Sequence, residues 1–167
     1  MAEHGVSALQ ALFRGEVDLV QSAPSQAFSS AQKGEKPPAL HFAQINNTDG
    51  FFIVGRTPES DFTIKNLRGH RVIVDHGGQP LHMFNYACQK AGLQLEEFEA
   101  IDAGSADEMA AAFRRGEGDY VHLQGPAPQQ LEAEGSGVVV GRVGDWVGRC
   151  AFSSLASRSD WLESDTA

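Results

Sequence analysis

At 167 residues, 41% apolar and 8% aromatic, the chain can bury the core of one ordinary domain or of two small lobes, and its composition is not that of a disordered segment. A formal charge of −9, with no basic run longer than Arg114-Arg115, repels nucleic acid and anionic membrane surfaces and speaks against both as partners. No segment is apolar enough to span a bilayer, and Met1-Ala2-Glu3-His4-Gly5-Val6 lacks the basic and apolar regions of a signal peptide, so the chain as written reads as cytoplasmic.

Apolar spacing makes Val6 to Phe13 helical, and Gly15 ends that helix ahead of a strand from Val17 to Gln21. Pro24 suits the first turn of a helix over Ser25 to Gln32, where its missing N–H has no intrahelical partner. A strand from Ala39 to Ile45, the turn Asn46-Asn47-Thr48-Asp49-Gly50 and a strand from Phe51 to Gly55 come next. The connection is too short for a crossover helix, which predicts that these two strands pair antiparallel. Thr57 to Gly69 is polar, contains Pro58 and has little periodicity, as expected of a passage between lobes.

Beyond it, strand and helix alternate. Arg71 to Asp75 is a strand, and Leu81, Phe84, Cys88 and Ala91 share one face of a helix that Gly92 ends. A strand from Phe98 to Asp102 leads to the capping box Ser105-Ala106-Asp107-Glu108 and a helix carrying Met109, Ala112 and Phe113. A strand from Asp119 to Leu123, a helix from Pro126 to Glu134 and a strand from Val138 to Val143 follow. This alternation predicts parallel pairing with helices over the sheet. After Gly144-Asp145-Trp146-Val147-Gly148, Ala151 to Ser157 is strand-like and Trp161-Leu162-Glu163 starts a helix.

One local pattern occurs twice: Arg14-Gly15-Glu16-Val17-Asp18-Leu19-Val20 returns as Arg115-Gly116-Glu117-Gly118-Asp119-Tyr120-Val121. Each copy follows a helical stretch and precedes a Pro-bearing turn, so the chain reads as two related α/β lobes. The expected boundaries are 1–56 with 150–167 for lobe one and 57–149 for lobe two, with 57–69 and 144–150 as crossovers.

In open α/β lobes a ligand lies beyond the carboxyl ends of the strands, where helix N-termini aim unpaired N–H groups at it. That rule selects the turns Ser22-Ala23-Pro24-Ser25, Asn46-Asn47-Thr48-Asp49, Asp75-His76-Gly77-Gly78-Gln79 and Gln124-Gly125-Pro126. Gly77 and Gly78 would let backbone approach a ligand closely, or simply make a tight strand-to-helix turn. Ser22 and Ser25 suit both ligand hydrogen bonds and helix capping. Asn47 and Asp49 belong to a turn, and Asp49 and Asp75 could also pair with a cationic group. Trp146 suits either stacking on a ligand at a cleft rim or burial in a core. The six histidines show no helical pair three or four residues apart and no HExxH, so no metal is expected. GxSxG, GxGxxG and GxxxxGK are absent, so neither nucleophilic catalysis nor a phosphate cradle has support. The two cysteines, Cys88 and Cys150, are expected as buried free thiols, with a single bridge open to them only in an oxidising compartment.

Ala8-Leu9-Gln10-Ala11-Leu12 with Arg14 to Asp18, Leu67 to Val74 followed by Gly77-Gly78, Ala110 to Asp119 with Gly125-Pro126, and Phe152 to Leu162 together resemble the type II periplasmic substrate-binding proteins of ABC importers. The resemblance is to the branch that includes nitrate, sulfonate, taurine and thiamine-pyrimidine binders, and it covers about residues 6 to 163. It implies an α/β, two-lobed fold with mainly parallel sheets and flanking helices, a small polar or anionic ligand between the lobes, no catalysis and no cofactor, and an ABC permease as partner if the protein is exported to the periplasm. Members of that family have an earlier first strand and later C-terminal helices, so lobe one is expected to be incomplete, the chain a fragment, and self-association through lobe one possible. A cytoplasmic effector-sensing or vestigial domain is the alternative. A thiamine-pyrimidine synthesis enzyme has weaker support, because Lys33, Lys36, Lys65 and Lys90 all lie in polar surroundings.

Overall fold

A computed structural model of the chain describes residues 8–28, 32–35, 37, 39–75 and 77–164. In chain order the regular elements are α1 (Ala8–Phe13), β1 (Val20–Ser22), β2 (Leu40–Asn46), β3 (Phe51–Gly55), β4 (Arg71–Val74), α2 (Gly78–Ala91), β5 (Glu99–Asp102), α3 (Ala106–Arg114), β6 (Tyr120–Gln124), α4 (Ala127–Ala133), β7 (Val138–Arg142), α5 (Val143–Val147), β8 (Ser153–Ser157) and α6 (Ser159–Leu162). Short 3-10 turns occupy Pro24–Ala27, Ile64–Leu67 and Leu95–Glu97. The chain divides into two compact units, Met1–Asn47 with Cys150–Ala167, and Thr48–Arg149.

The larger unit holds a five-stranded sheet in the order β5-β4-β6-β3-β7. β4 pairs parallel with β5 and β6, while β3 runs antiparallel to both its neighbours, so four of the five strands share one direction. Ile53, Val54, Val72, Ile73 and Val121 have no exposed surface, which is the signature of a sheet covered on both faces. On one face α3 contributes Met109, Ala112 and Phe113, whose helical spacing packs them against Val54, Ile73 and Val121. Ser105 caps that helix as the sequence predicts: its Oγ accepts from the Glu108 N–H at 3.4 Å and the Glu108 carboxylate accepts from the Ser105 N–H at 2.7 Å.

The smaller unit has a three-stranded sheet, β1-β8-β2, in which β8 is antiparallel to both neighbours. Leu12, Val20, Ala39 and Ala156 form its apolar core. Polar side chains share its interior, with Ser22, Ser153, Ser154 and Ser157 all buried.

Several expectations need correction. The strand Phe51 to Gly55 exists, but it does not pair with β2; it inserts between β6 and β7 in the larger unit. Burial explains the choice: β3 is apolar on both faces and needs two covered sides, whereas half of β2 is exposed and suits an edge. The strand expected from Val17 shortens to three residues, because side chains take its first carbonyls: Arg158 Nη1 donates to Val17 O at 3.4 Å and Ser157 Oγ to Asp18 O at 2.7 Å. The boundary between the units falls at Thr48 rather than at 57, and in the passage Thr57 to Gly69 the side chains of Ile64 and Leu67 are fully buried. Gly144 to Gly148, expected as part of a crossover, is largely the helix α5. The helix expected over Ser25 to Gln32 is described only as the 3-10 turn at its start, since 29–31 lie outside the described residues.

Truncating Ile53 to Ala should cost about 3 kcal/mol of stability through lost burial and the cavity left behind, whereas Phe42→Ala, on the half-exposed edge strand β2, should cost less than about 1 kcal/mol. Urea unfolding of the two variants checks this.

Candidate functional site

In the larger unit the connections leave β4 and β6 in opposite directions: α2 leads from β4 to β5, and α4 leads from β6 towards β7. The carboxyl ends of β4 and β6 therefore flank a topological switch point, the place where open α/β sheets form a ligand crevice. Two of the turns chosen from sequence, Asp75 to Gln79 and Gln124-Gly125, lie at those ends.

A third turn joins the second of them. Phe51 pairs with Gln124, and the Gly125 N–H donates to Gly50 O at 3.4 Å. Asp49 thus lies beside Gln124-Gly125, and Gly144 of α5 approaches so closely that a Cβ there would meet Asp49 O at 2.8 Å. Gln124 and Gly125 are exposed. In the β4 turn the Gly77 N–H donates to Asp75 Oδ1 at 3.2 Å, an Asx-turn that leads into α2. Gly77 is extended, with φ 168°, and has open space where a Cβ would sit; Gly78 is left-handed, with φ +68°. Gln79 is half-buried, and His76 lies outside the described residues.

Two polar side chains are buried behind these turns. Asp49 is 7% exposed; its Oδ1 accepts from the Phe51 N–H at 2.7 Å, and Oδ2 has no partner among the described residues. Burial raises its pKa to about 6, against the opposing effect of the Phe51 N–H. His122 of β6 is fully buried, between the rings of Phe51 at 4.7 Å and Phe84 at 4.9 Å, and neither ring nitrogen has a described partner. Burial depresses its pKa to about 3, so the ring is neutral near pH 7. The sequence signal for His122 is its place in Tyr120-Val121-His122-Leu123, a run too apolar for an exposed imidazole; the sequence marks Asp49 as a turn residue, not as a buried acid.

Trp146 is half-buried, tilted against Phe62 at 5.9 Å and packed over Gly141 of β7, so its indole is a packing element of this unit. Lys90 donates to Val147 O at 3.1 Å, and Lys33, Lys65 and Lys90 are all exposed. Cys88 and Cys150 are free thiols; burial pushes that of Cys88 up to about 12. Among the described residues no group of three or more His, Cys, Asp or Glu side chains is arranged to hold a metal ion, and no helix is long and apolar enough to cross a membrane.

In the smaller unit, Ser22 ends β1 opposite Ser154 of β8, and its hydroxyl donates to Gln26 Oε1. Ala23 is the N-cap of the turn Pro24–Ala27 and makes no side-chain cap; Pro24 and Ser25 are its first residues. Ser22 thus neither caps that turn nor presents an unused hydroxyl. Asn47 is exposed, and its carbonyl accepts from the Cys150 N–H at 2.9 Å. The polar pairs that sequence reasoning misses here are Gln21 Nε2 donating to Ser153 Oγ at 3.0 Å and His41 Nδ1 with Ser154 Oγ at 2.7 Å. Burial lowers the His41 pKa.

The fold is similar to that of solved periplasmic binding proteins. The periplasmic aliphatic sulphonate binding protein SsuA from Escherichia coli superposes with a TM-score of 0.75 at 19% identity, over 93% of this chain and 52% of that one. The alkanesulfonate-binding protein SsuA from Xanthomonas axonopodis pv. citri, bound to MOPS, gives 0.66 at 19% identity, over 92% of this chain and 52% of that one. In sequence, the Bacillus subtilis (strain 168) protein YtlA, named as a binding protein, is 29% identical over 139 residues, 81% of this chain and 42% of YtlA. The chain thus spans about half the length of the proteins it matches. No protein-family model matches it.

Asp49 and His122 load the pH dependence of stability in opposite senses. The folded state holds a proton on Asp49 up to about pH 6, against 3.8 for an ordinary Asp, so stability present below 3.8 is lost as pH rises through 6. Unfolded His122 protonates below 6.5 while the folded ring stays neutral to about 3, so stability is lost as pH falls through that window. Asp49→Asn should therefore stabilise the protein by on the order of 2 kcal/mol at pH 8 and little at pH 4, and His122→Phe should stabilise it more at pH 4 than at pH 8. Thermal melts at the two pH values check both signs.

The φ of Gly78 also changes which glycine can be used as a probe. Gly78→Val should lose about 1–2 kcal/mol from backbone strain, whereas Gly77→Ala should leave the melting temperature unchanged. The same melts, run at pH 7, compare them.

Proposed function

We propose that this protein is a non-catalytic solute-binding component of an ABC importer, working in the periplasm with a permease as partner, and that its ligand is a small polar or anionic organic molecule of the sulfonate class. The observation that carries the reading is the convergence of the turns at Asp75 to Gln79, Asp49-Gly50 and Gln124-Gly125 on one end of the larger unit's sheet, in a fold shared with sulfonate-binding proteins. His76 is the one basic residue among the sequence-selected positions, so an anionic group would be held by backbone N–H groups rather than by a salt bridge. Ala23, Pro24, Ser25 and Asn47 are proposed as contact residues within the smaller unit, and His76, Gly77, Gly78, Gln79, Gln124 and Gly125 as those within the larger unit, with Asp49 shaping the turn beside the last two.

Calorimetric titration of ethanesulfonate into the wild-type chain and into Gly77→Asp tests this reading. The introduced carboxylate has room in the turn and repels an anion there, so binding should fall at least about tenfold with the melting temperature retained. Heat with neither protein would remove sulfonates from the ligand class, and equal binding by both would move the ligand away from this turn.

We also infer that the smaller unit self-associates. Phe13, Leu19, Phe28, Phe42 and Ile45, each at least 45% exposed, all belong to it, and β1 and β2 are the edges of its sheet. Light scattering behind a sizing column should report a dimer or larger species, and Phe42→Lys should shift it towards monomer. A wild-type chain that elutes as a monomer at all concentrations would end that inference.

A further inference from the structure

We infer that the larger unit carries a second binding site, for a compact apolar molecule bearing one cationic group such as an amine or amidine, in the cavity between α2 and the β4–β5 edge of the sheet. This site lies on the β5 side of β4 and shares Asp75 with the β4 turn, and it does not rest on the importer reading. The cavity encloses about 290 Å³, at the small end of small-molecule clefts. Leu81 and Phe84 of α2 line it from above, Val74 and Ala100 from the strands, and Leu95 and Phe98 from the side.

The cavity exists because of what β5 places there. Val72 pairs with Ala100 and Val74 with Asp102, so these four residues share the face of the sheet that α2 covers. A large apolar side chain at position 100 or 102 would complete that layer. Instead β5 supplies a methyl group and a carboxylate, both exposed, so the cavity between the strands and α2 opens at this edge. Among the described residues the polar groups on the lining are Asp75, Asn85 and Asp102, with no Lys, Arg or His side chain.

Asp102 Oδ1 accepts from the Gly104 N–H at 2.9 Å, and Asp75 Oδ1 from the Gly77 N–H at 3.2 Å, so both carboxylates are held in place by their own turns at the ends of adjacent parallel strands. Two fixed acids at the mouth of an apolar cavity, on a chain of net charge −9, select a cation with an apolar body and reject the matching anion.

The test uses three probes of one shape: benzylamine, benzyl alcohol and benzoate, titrated into the full 167-residue chain and followed by amide chemical shifts. Benzylamine should shift the signals of Leu81 and Ala100, bind at least about tenfold more tightly than benzyl alcohol and weaken with salt, while benzoate should not bind. Asp102→Asn, which keeps an acceptor for the Gly104 N–H, should cost about tenfold in benzylamine affinity. Ala100→Ile fills the cavity on a strand that accepts β-branched residues and should abolish binding; the exposed Glu96→Gln, off the lining, should change nothing. Benzyl alcohol or benzoate binding as tightly as benzylamine, or full affinity in Asp102→Asn, overturns the assignment. If Ala100→Ile does not fold, Asp102→Asn and the probe series still decide. Loss of ethanesulfonate binding by Gly77→Asp leaves these outcomes untouched, so the two sites fail separately.

Discussion

Removal of β3 from water is the constraint on which the larger unit depends. Phe51, Ile53, Val54 and Gly55 are all buried, and an apolar strand with two such faces is stable only when flanked by strands on both sides and covered on both faces. Its insertion between β6 and β7 supplies the flanks. It also sets the one antiparallel strand of that sheet, with its amino end beside the carboxyl end of β6, bringing Asp49-Gly50 to Gln124-Gly125. A strand that satisfies the core therefore also assembles the candidate site.

The smaller unit solves the same problem differently. Around a small apolar cluster of Leu12, Val20, Ala39 and Ala156, it specifies its sheet through buried hydroxyls that each find a partner: Ser22 with Gln26, Ser153 with Gln21, Ser154 with His41, and Ser157 with the Asp18 carbonyl. Hydrogen bonds of this kind add little net stability apiece, but leaving any one unmade inside a protein is costly, so they select one register over its alternatives. Arg158 belongs to the same logic, since it holds the carbonyls of Leu12 and Val17 from the far end of the chain.

Local signals are legible in the sequence and long-range choices are not. The two copies of Arg-Gly-Glu end their helices with the same bonds: Glu16 N–H donates to Ala11 O and Glu117 N–H to Ala112 O, at 3.0 and 3.1 Å, with Gly15 and Gly116 both left-handed. Strands β4 to β7 and the Ser105 cap are equally local. Pairing of β3 is not, because a short link to β2 suggests a hairpin while the competition is decided by burial against residues about seventy positions away. β1 loses its first residues to the side chains of Ser157 and Arg158, and α5 is hidden by Gly144 within it and Gly148 at its end. Of the sequence-selected turns, those at Asp49, Asp75 to Gln79 and Gln124-Gly125 gather at one end of one sheet, while Trp146 is a packing residue and His122 is concealed inside its apolar run.

Burial separates the two thiols chemically. Cys88 lies on the inner face of α2 with no exposed surface and its ionisation pushed far above neutrality, whereas Cys150 is partly exposed at the first residue of the chain's return to the smaller unit. Alkylating reagents attack thiolates that solvent can reach. The protein therefore carries a ready-made, single attachment point for a fluorophore where the chain passes from one unit to the other, without a cysteine having to be introduced or removed.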